Sequence, residues 1–293
     1  MSTLQRVLAI TFTGILAIPA LACAAGRIHV VAAENFYGNI ASQIGGPRVS
    51  VTSILNNPDT DPHLFEVSPA VARAVSGARI VIYNGIDYDP WMSNLLAATS
   101  GTHRRTIDVA ALAGHHAGDN PHIWYDTDAM LVYADKLAQT LASIDPAHRA
   151  YYEHRLARFQ QSMQPLRARI VMMRKALAGI PVTATEPIFG YMLAALGMKV
   201  RDRAFQLAIM NGTEPGAAAI AELENDLKAH RVRLLIYNGQ VFDPTTNRIR
   251  QLAEASHIPV VAVTETEPAG IQYQDWMMNE LSAVAQALRG GHP

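Results

Sequence analysis

Two histidines sit in matching surroundings, each directly after a proline and two positions ahead of an aromatic: Asp61-Pro62-His63-Leu64-Phe65 and Asn120-Pro121-His122-Ile123-Trp124. Proline restricts the backbone and so helps hold the next imidazole in one place, which a metal ligand needs and a solvated histidine does not. One Pro-His alone is ordinary loop chemistry; the repetition gives it weight. Two acidic loops answer the histidines, Thr185-Glu186-Pro187 and Thr264-Glu265-Thr266-Glu267-Pro268. Two neutral imidazoles and two carboxylates would cancel the charge of one divalent cation, the condition under which burying such groups is tolerable. Glu265 and Glu267 share a face of an extended chain, so either can be the second carboxylate. Glu186 taken alone also reads as a dipole partner at the start of a helix over residues 188–196.

The rest of the composition narrows the alternatives. Cys23 is the single cysteine and lies in or beside a segment with the features of a leader: Arg6 as a positive start, an apolar run over residues 7–18 and small residues over 20–25. The mature chain is therefore expected to be exported to the periplasm, with no disulfide or thiolate zinc site, which leaves imidazole and carboxylate as ligands. A lipid anchor on Cys23 is less favoured, because Ala20-Leu21-Ala22 matches a lipobox poorly. The charge of −1 carries no basic stripe, which argues against nucleic acid and anionic membrane surfaces. No later segment approaches the ~20 apolar residues of a membrane span. His115-His116, between Gly114 and Ala117, is expected to form a solvated loop, and the remaining histidines are read as structural or surface residues.

Short β-branched runs alternate with helical patterns, the signature of parallel strands joined by crossover helices. Strands are expected over 28–33, 49–55, 80–84 and 106–109, then over 182–185, 199–202, 234–238 and 260–264. Between the two sets lies a long helical pattern after Asp145-Pro146, running towards Leu177, with Pro165 marking a kink or break. The expected fold class is α/β: two lobes, each a mainly parallel sheet flanked by helices, joined by a long rigid backbone helix. The expected divisions are a signal peptide over 1–25, a lobe over 26–145, the linking helix over 146–178 and a second lobe over 179–293. Ile82-Tyr83-Asn84-Gly85 and Ile236-Tyr237-Asn238-Gly239 repeat at the ends of two strands, each followed by an Asp-Pro, which supports lobes of related build. Parallel sheets bind ligands at the carboxyl ends of their strands, and all four acidic or histidine loops leave from such ends.

Taken together, the leader, Asp-Pro-His-x-x-Glu-x-Ser-Pro over 61–69, Pro-His-Ile-Trp over 121–124, the long helix after Asp145-Pro146, Glu214-Pro215 and the terminal Tyr273-x-x-Trp276-Met277 resemble the metal-binding solute receptors of zinc and manganese ABC importers. The resemblance spans essentially the whole mature chain. It implies one metal in a cleft between two lobes and delivery to a membrane permease driven by a separate ATPase, with the receptor a monomer. It places the first two ligands on His63 and His122. The third falls on Glu186, where zinc receptors of this kind carry histidine and manganese receptors glutamate. The fourth, usually an aspartate, has its nearest counterpart in Glu265, whereas the internal likeness of the two Thr-Glu-Pro loops points at Glu267; Glu265 is ranked first. No long histidine- and acid-rich loop follows Ala113.

Carboxylate oxygens are hard ligands that lean towards manganese or iron, although zinc outranks manganese in intrinsic affinity at almost any such site. The leading expectation is a receptor that binds a divalent ion (Mn, Fe or Zn) without turnover. A metal-dependent hydrolase built on the same ligands is the alternative, but the chain lacks a nucleophile elbow and a His-Glu-x-x-His helix. A surface adhesin with incidental metal is a third reading. Because the imidazoles must be neutral to bind, affinity is expected to fall as pH drops through ~6.5.

Overall fold

The computed structural model describes residues 26–57, 65–99, 103–241 and 243–290. The leader and His63 lie outside this set. In chain order the first half runs β1 (Ile28–Glu34), α1 (Asn35–Gly45), β2 (Val49–Leu55), α2 (Pro69–Gly77), β3 (Ile80–Tyr83), α3 (Pro90–Ala98), β4 (Arg105–Asp108), α4 (Val109–Ala113) and α5 (Thr127–Ile144). Then come α6 (Arg149–Ser162) and α7 (Gln164–Leu177). The second half runs β5 (Pro181–Ala184), α8 (Gly190–Ala195), β6 (Lys199–Val200), α9 (Arg203–Met210), α10 (Ala217–Lys228), β7 (Leu235–Asn238), α11 (Pro244–Ala255), β8 (Val260–Val263) and α12 (Tyr273–Gly290).

Each half holds a four-stranded sheet, ordered β2-β1-β3-β4 and β6-β5-β7-β8, and every pairing is parallel. Parallel strands must be covered on both faces, and the sequence of β1 obliges: Val30, Val31, Ala32 and Ala33 are all buried. In each sheet the chain starts in the middle, moves to one edge and returns past its starting strand. The carboxyl ends of β1 and β3, and of β5 and β7, therefore flank a crevice where consecutive connections leave in opposite directions.

The linking segment is one long helical run with a defect. Met163 keeps right-handed helical angles (φ −78, ψ −15), and the bonds Met163 N–H to Phe159 O and Arg167 N–H to Met163 O, both 3.1 Å, carry the ladder across it. The defect belongs to Pro165, which lacks an N–H and is accommodated in the first turn of α7. Phe159, Met163, Leu166, Ile170 and Met173 face inward along this run.

A single apolar cluster reaches from Val30 and Phe36 in the first half to Val182, Phe189 and Trp276 in the second. Its centre is aromatic: Phe36 lies 4.9 Å from Trp124 and 6.0 Å from Trp276, and Tyr125 lies 4.8 Å from Phe189. Burying each such ring stabilises by roughly 1.5–3 kcal/mol, so the halves are joined by a shared floor as well as by the helical linker. Polar clasps close the same seam. Asn35 on α1 donates to Glu267 O (2.7 Å) and accepts from Glu267 N–H (2.9 Å), and Asn39 on α1 donates to Ile271 O (3.3 Å). No described helix is long and apolar enough to cross a membrane.

Candidate metal centre

Above the aromatic floor, His122, Glu186 and Glu265 come together. One ligand atom from each lies within 4.8 Å of the others, and all three residues are buried. His122 comes from the segment between α4 and α5, Glu186 from the loop after β5 and Glu265 from the loop after β8. The cluster thus draws on both halves. Three such atoms at this separation can share one small cation, and no other group of three histidine, cysteine or acidic residues with this property occurs among the described residues. A cavity of about 540 Å³ opens beside it, bordered by Thr185, Glu186, Tyr237, Asn238 and Arg250.

The second carboxylate is held firmly. Glu265 Oε2 accepts from the Tyr88 hydroxyl at 2.7 Å and Oε1 accepts from the Asn238 side-chain amide at 2.5 Å. Its own N–H donates to Gln240 Oε1, which also accepts from Thr266 N–H. Burial, and then the neighbouring Glu265 charge, push the Tyr88 phenol well above its ordinary range, so it remains a donor. Tyr88 belongs to the first half, and its bond to Glu265 crosses the seam. It is delivered by a strained turn, in which Gly85, Ile86 and Asp87 all have positive φ (81, 47 and 58). Left-handed backbone is costly for a β-branched residue such as Ile86, of order 1–3 kcal/mol. Asp89 supports the turn by accepting from Asn84 N–H (2.7 Å) and Gly85 N–H (2.9 Å). Gly85 has a second reason to be glycine, since a Cβ there would sit 2.4 Å from Asp108 Oδ1.

His122 rests against Trp124 (5.2 Å between ring centroids) and Tyr88 (6.2 Å). Its Nδ1 lies 2.6 Å from Asn120 Oδ1. Beneath it, the Asn84 amide donates to Pro121 O at 2.9 Å, and Asn84 in turn accepts from Tyr37 OH at 2.7 Å. Behind these residues lies buried acid. Burial, reinforced by Asp89, pushes the Glu34 carboxyl well above the usual range, and burial raises Asp89 to about 6.

Glu267 goes elsewhere. Its backbone is clasped by Asn35, and burial raises its carboxyl to about 8, so at neutral pH it is mainly a protonated acid outside the cluster. The His115-His116 loop is solvated, as expected, except at its first histidine. His115 meets Tyr191 of the second half edge-on at 5.2 Å, with Nδ1 3.3 Å from the Tyr191 hydroxyl, while His116, Ala117, Gly118 and Asp119 are exposed.

Tyr88, Asn120, Asn238 and Gln240 were not singled out from the sequence. One signal was present: the repeated Asn-Gly at strand ends, read as turn chemistry, marks two working amides, Asn84 under His122 and Asn238 on Glu265.

Comparison with known proteins gives the family and the fold. The model of the family described as "ZnuA: Zinc-uptake complex component A periplasmic" matches residues 30–287. The metal ABC transporter substrate-binding lipoprotein FimA of Streptococcus parasanguinis is 25% identical over 289 residues, covering 90% of each chain. The manganese ABC transporter substrate-binding lipoprotein PsaA of Streptococcus anginosus is 23% identical over 313 residues, covering 96% of this chain and 97% of that one. Among solved structures, the periplasmic zinc binding protein TroA from Treponema pallidum has the same fold, with a TM-score of 0.75 at 18% identity over 90% of this chain and 99% of that one. With its paired parallel sheets, long linking helical run and buried cluster between the halves, this chain belongs to the ZnuA family, the extracytoplasmic metal-binding receptors of ABC importers, and is a binding protein and not an enzyme.

Proposed function

We propose that this chain captures one divalent transition-metal ion between its lobes through His63, His122, Glu186 and Glu265, and hands it to a membrane permease powered by its ATPase. The observation that carries this is the meeting of three buried ligand atoms from both halves within 4.8 Å. In sequence His63 follows β2, a strand of the same sheet and polarity as the β4 strand that precedes His122. The lobes are assigned to 26–145 and 179–293 and the linking helix to 146–178, a division supported by the separate sheets and by the α6–α7 run between them. The chain works in the periplasm as a monomer, with a free receptor favoured over one anchored by lipid at Cys23, although the FimA and PsaA relatives are lipoproteins.

The ion is manganese, iron or zinc. The PsaA relative is named for manganese and the TroA neighbour for zinc; the two carboxylates here favour the harder ions, while the intrinsic affinity order favours zinc. Competition titration with Mn²⁺, Fe²⁺ and Zn²⁺, paired with metal analysis of protein purified from the periplasm, tests both parts. One ion per chain with no hydrolytic turnover is expected; sub-stoichiometric, weak binding of all three ions would overturn the proposal. Glu186→His sharpens it. If the third ligand sets preference, this variant shifts the ratio of affinities towards zinc, and an unchanged ratio would remove Glu186 from the site.

A further inference from the structure

Asn120 touches both halves of the centre with one planar amide, and its partners leave the amide only one orientation. The His122 backbone N–H can only donate, and it lies 3.1 Å from Oδ1. The Pro187 carbonyl can only accept, and it lies 2.6 Å from Nδ2. A flipped amide would set donor against donor and acceptor against acceptor. Oδ1 therefore also faces His122 Nδ1, at 2.6 Å, and an acceptor there requires Nδ1 to carry the proton. That choice of tautomer makes Nε2 the unprotonated nitrogen, the form a neutral imidazole ligand needs.

The same side chain reaches across the seam to the residue directly after Glu186. Its own carbonyl is fixed by the Tyr191 hydroxyl at 2.7 Å. Space around the amide is tight, because a Cβ on Gly190 would come within 2.8 Å of Asn120 Nδ2. Asn120 is thus pinned at its backbone, at its oxygen and at its nitrogen, between the loops that carry His122 and Glu186.

We propose that Asn120 is an interlobe positioning residue: its oxygen selects the metal-binding tautomer of His122 while its nitrogen holds the Glu186-Pro187 turn in register with it, so that one amide sets how long a bound divalent ion is retained. This rests on His122 and Glu186 being ligands. Removing a partner of this kind from a ligating histidine typically costs 10–100-fold in metal affinity.

The test compares wild type with Asn120→Ala, Asn120→Asp and His122→Ala. Three readouts are used: ¹⁵N chemical shifts of the histidine ring in metal-free protein, amide hydrogen exchange at Ile188, Phe189 and Gly190, and the rate of Zn²⁺ release to a chelator. Wild type should show the Nδ1–H tautomer at His122. Asn120→Ala should lose that preference and release zinc about 10–100-fold faster. Asn120→Asp is nearly isosteric; it keeps the acceptor for Nδ1–H, so the tautomer should persist, but it sets an oxygen against the Pro187 carbonyl, so exchange in the 188–190 turn should accelerate. Unchanged release in Asn120→Ala, or wild-type exchange in Asn120→Asp, would overturn the proposal. His122→Ala separates the two levels. If it abolishes binding while the Asn120 variants behave as wild type, the positioning role alone falls; if it binds zinc as wild type does, the ligand assignment falls first.

Discussion

Two loops of the second half carry nearly the same letters and do different things. Thr185-Glu186-Pro187 follows β5, and Thr266-Glu267-Pro268 lies in the loop after β8. By motif, Glu186 and Glu267 correspond. By geometry the match is Glu186 and Glu265, each two residues beyond the last residue of its strand, Ala184 and Val263. In parallel strands of one sheet the backbone ends at comparable heights, so distance from the strand end decides which side chain reaches the crevice. Glu267, four residues past its strand, has already travelled to the seam and is bound to Asn35. Register from the sheet thus outranks local resemblance when a ligand position is inferred.

The sharpest way to break this comparison is to truncate both glutamates separately. Glu265→Ala should weaken Zn²⁺ or Mn²⁺ binding by more than about 100-fold, beyond the range seen for outer partners alone, whereas Glu267→Ala should change it by less than about threefold; isothermal titration of each variant decides. Equal losses would mean that both residues serve the ion. A smaller effect is expected from Tyr88→Phe, which removes one bond to Glu265 and leaves the ring. Affinity should drop about 10-fold, and the loss should vanish in a Glu265→Ala background, a coupling that a double-mutant cycle reads directly.

The smallest effect concerns pH. Burial pushes Glu280 to about 8, and its Oε1 accepts from Tyr125 OH (2.9 Å) and Trp276 Nε1–H (2.8 Å). A buried acid whose folded pKa is raised holds a proton that the unfolded chain has released, so stability is greatest below the unfolded value near 4.5 and is lost as pH rises to about 8. The melting temperature of metal-free protein should therefore fall between about pH 5 and pH 8, and Glu280→Gln should remove part of that slope. Glu267 and Glu34 carry the same sign and keep the rest. A variant with the full wild-type slope would show that Glu280 is ionised in the fold.

Much of the architecture was legible in the chain. All eight expected strands occur among the described residues, displaced by at most two residues at an end, because buried parallel strands leave a continuous β-branched signature. The linking helix was legible with its flaw at Pro165. Legibility stopped at long range. Tyr88 meets a partner 177 residues away and Asn120 one 67 residues away; no local spacing encodes such pairs. His115 shows the same limit, since the ring of Tyr191 that covers it arrives from the other half.

The central claim is that His122, Glu186 and Glu265 converge on one ion. Anomalous diffraction from crystals of the zinc-loaded protein tests it most directly. A single peak about 2.0–2.2 Å from an imidazole nitrogen of His122 and from carboxylate oxygens of Glu186 and Glu265 is the expected result; a peak out of coordination reach of these residues, for instance beside His115 and Asp119, would contradict it.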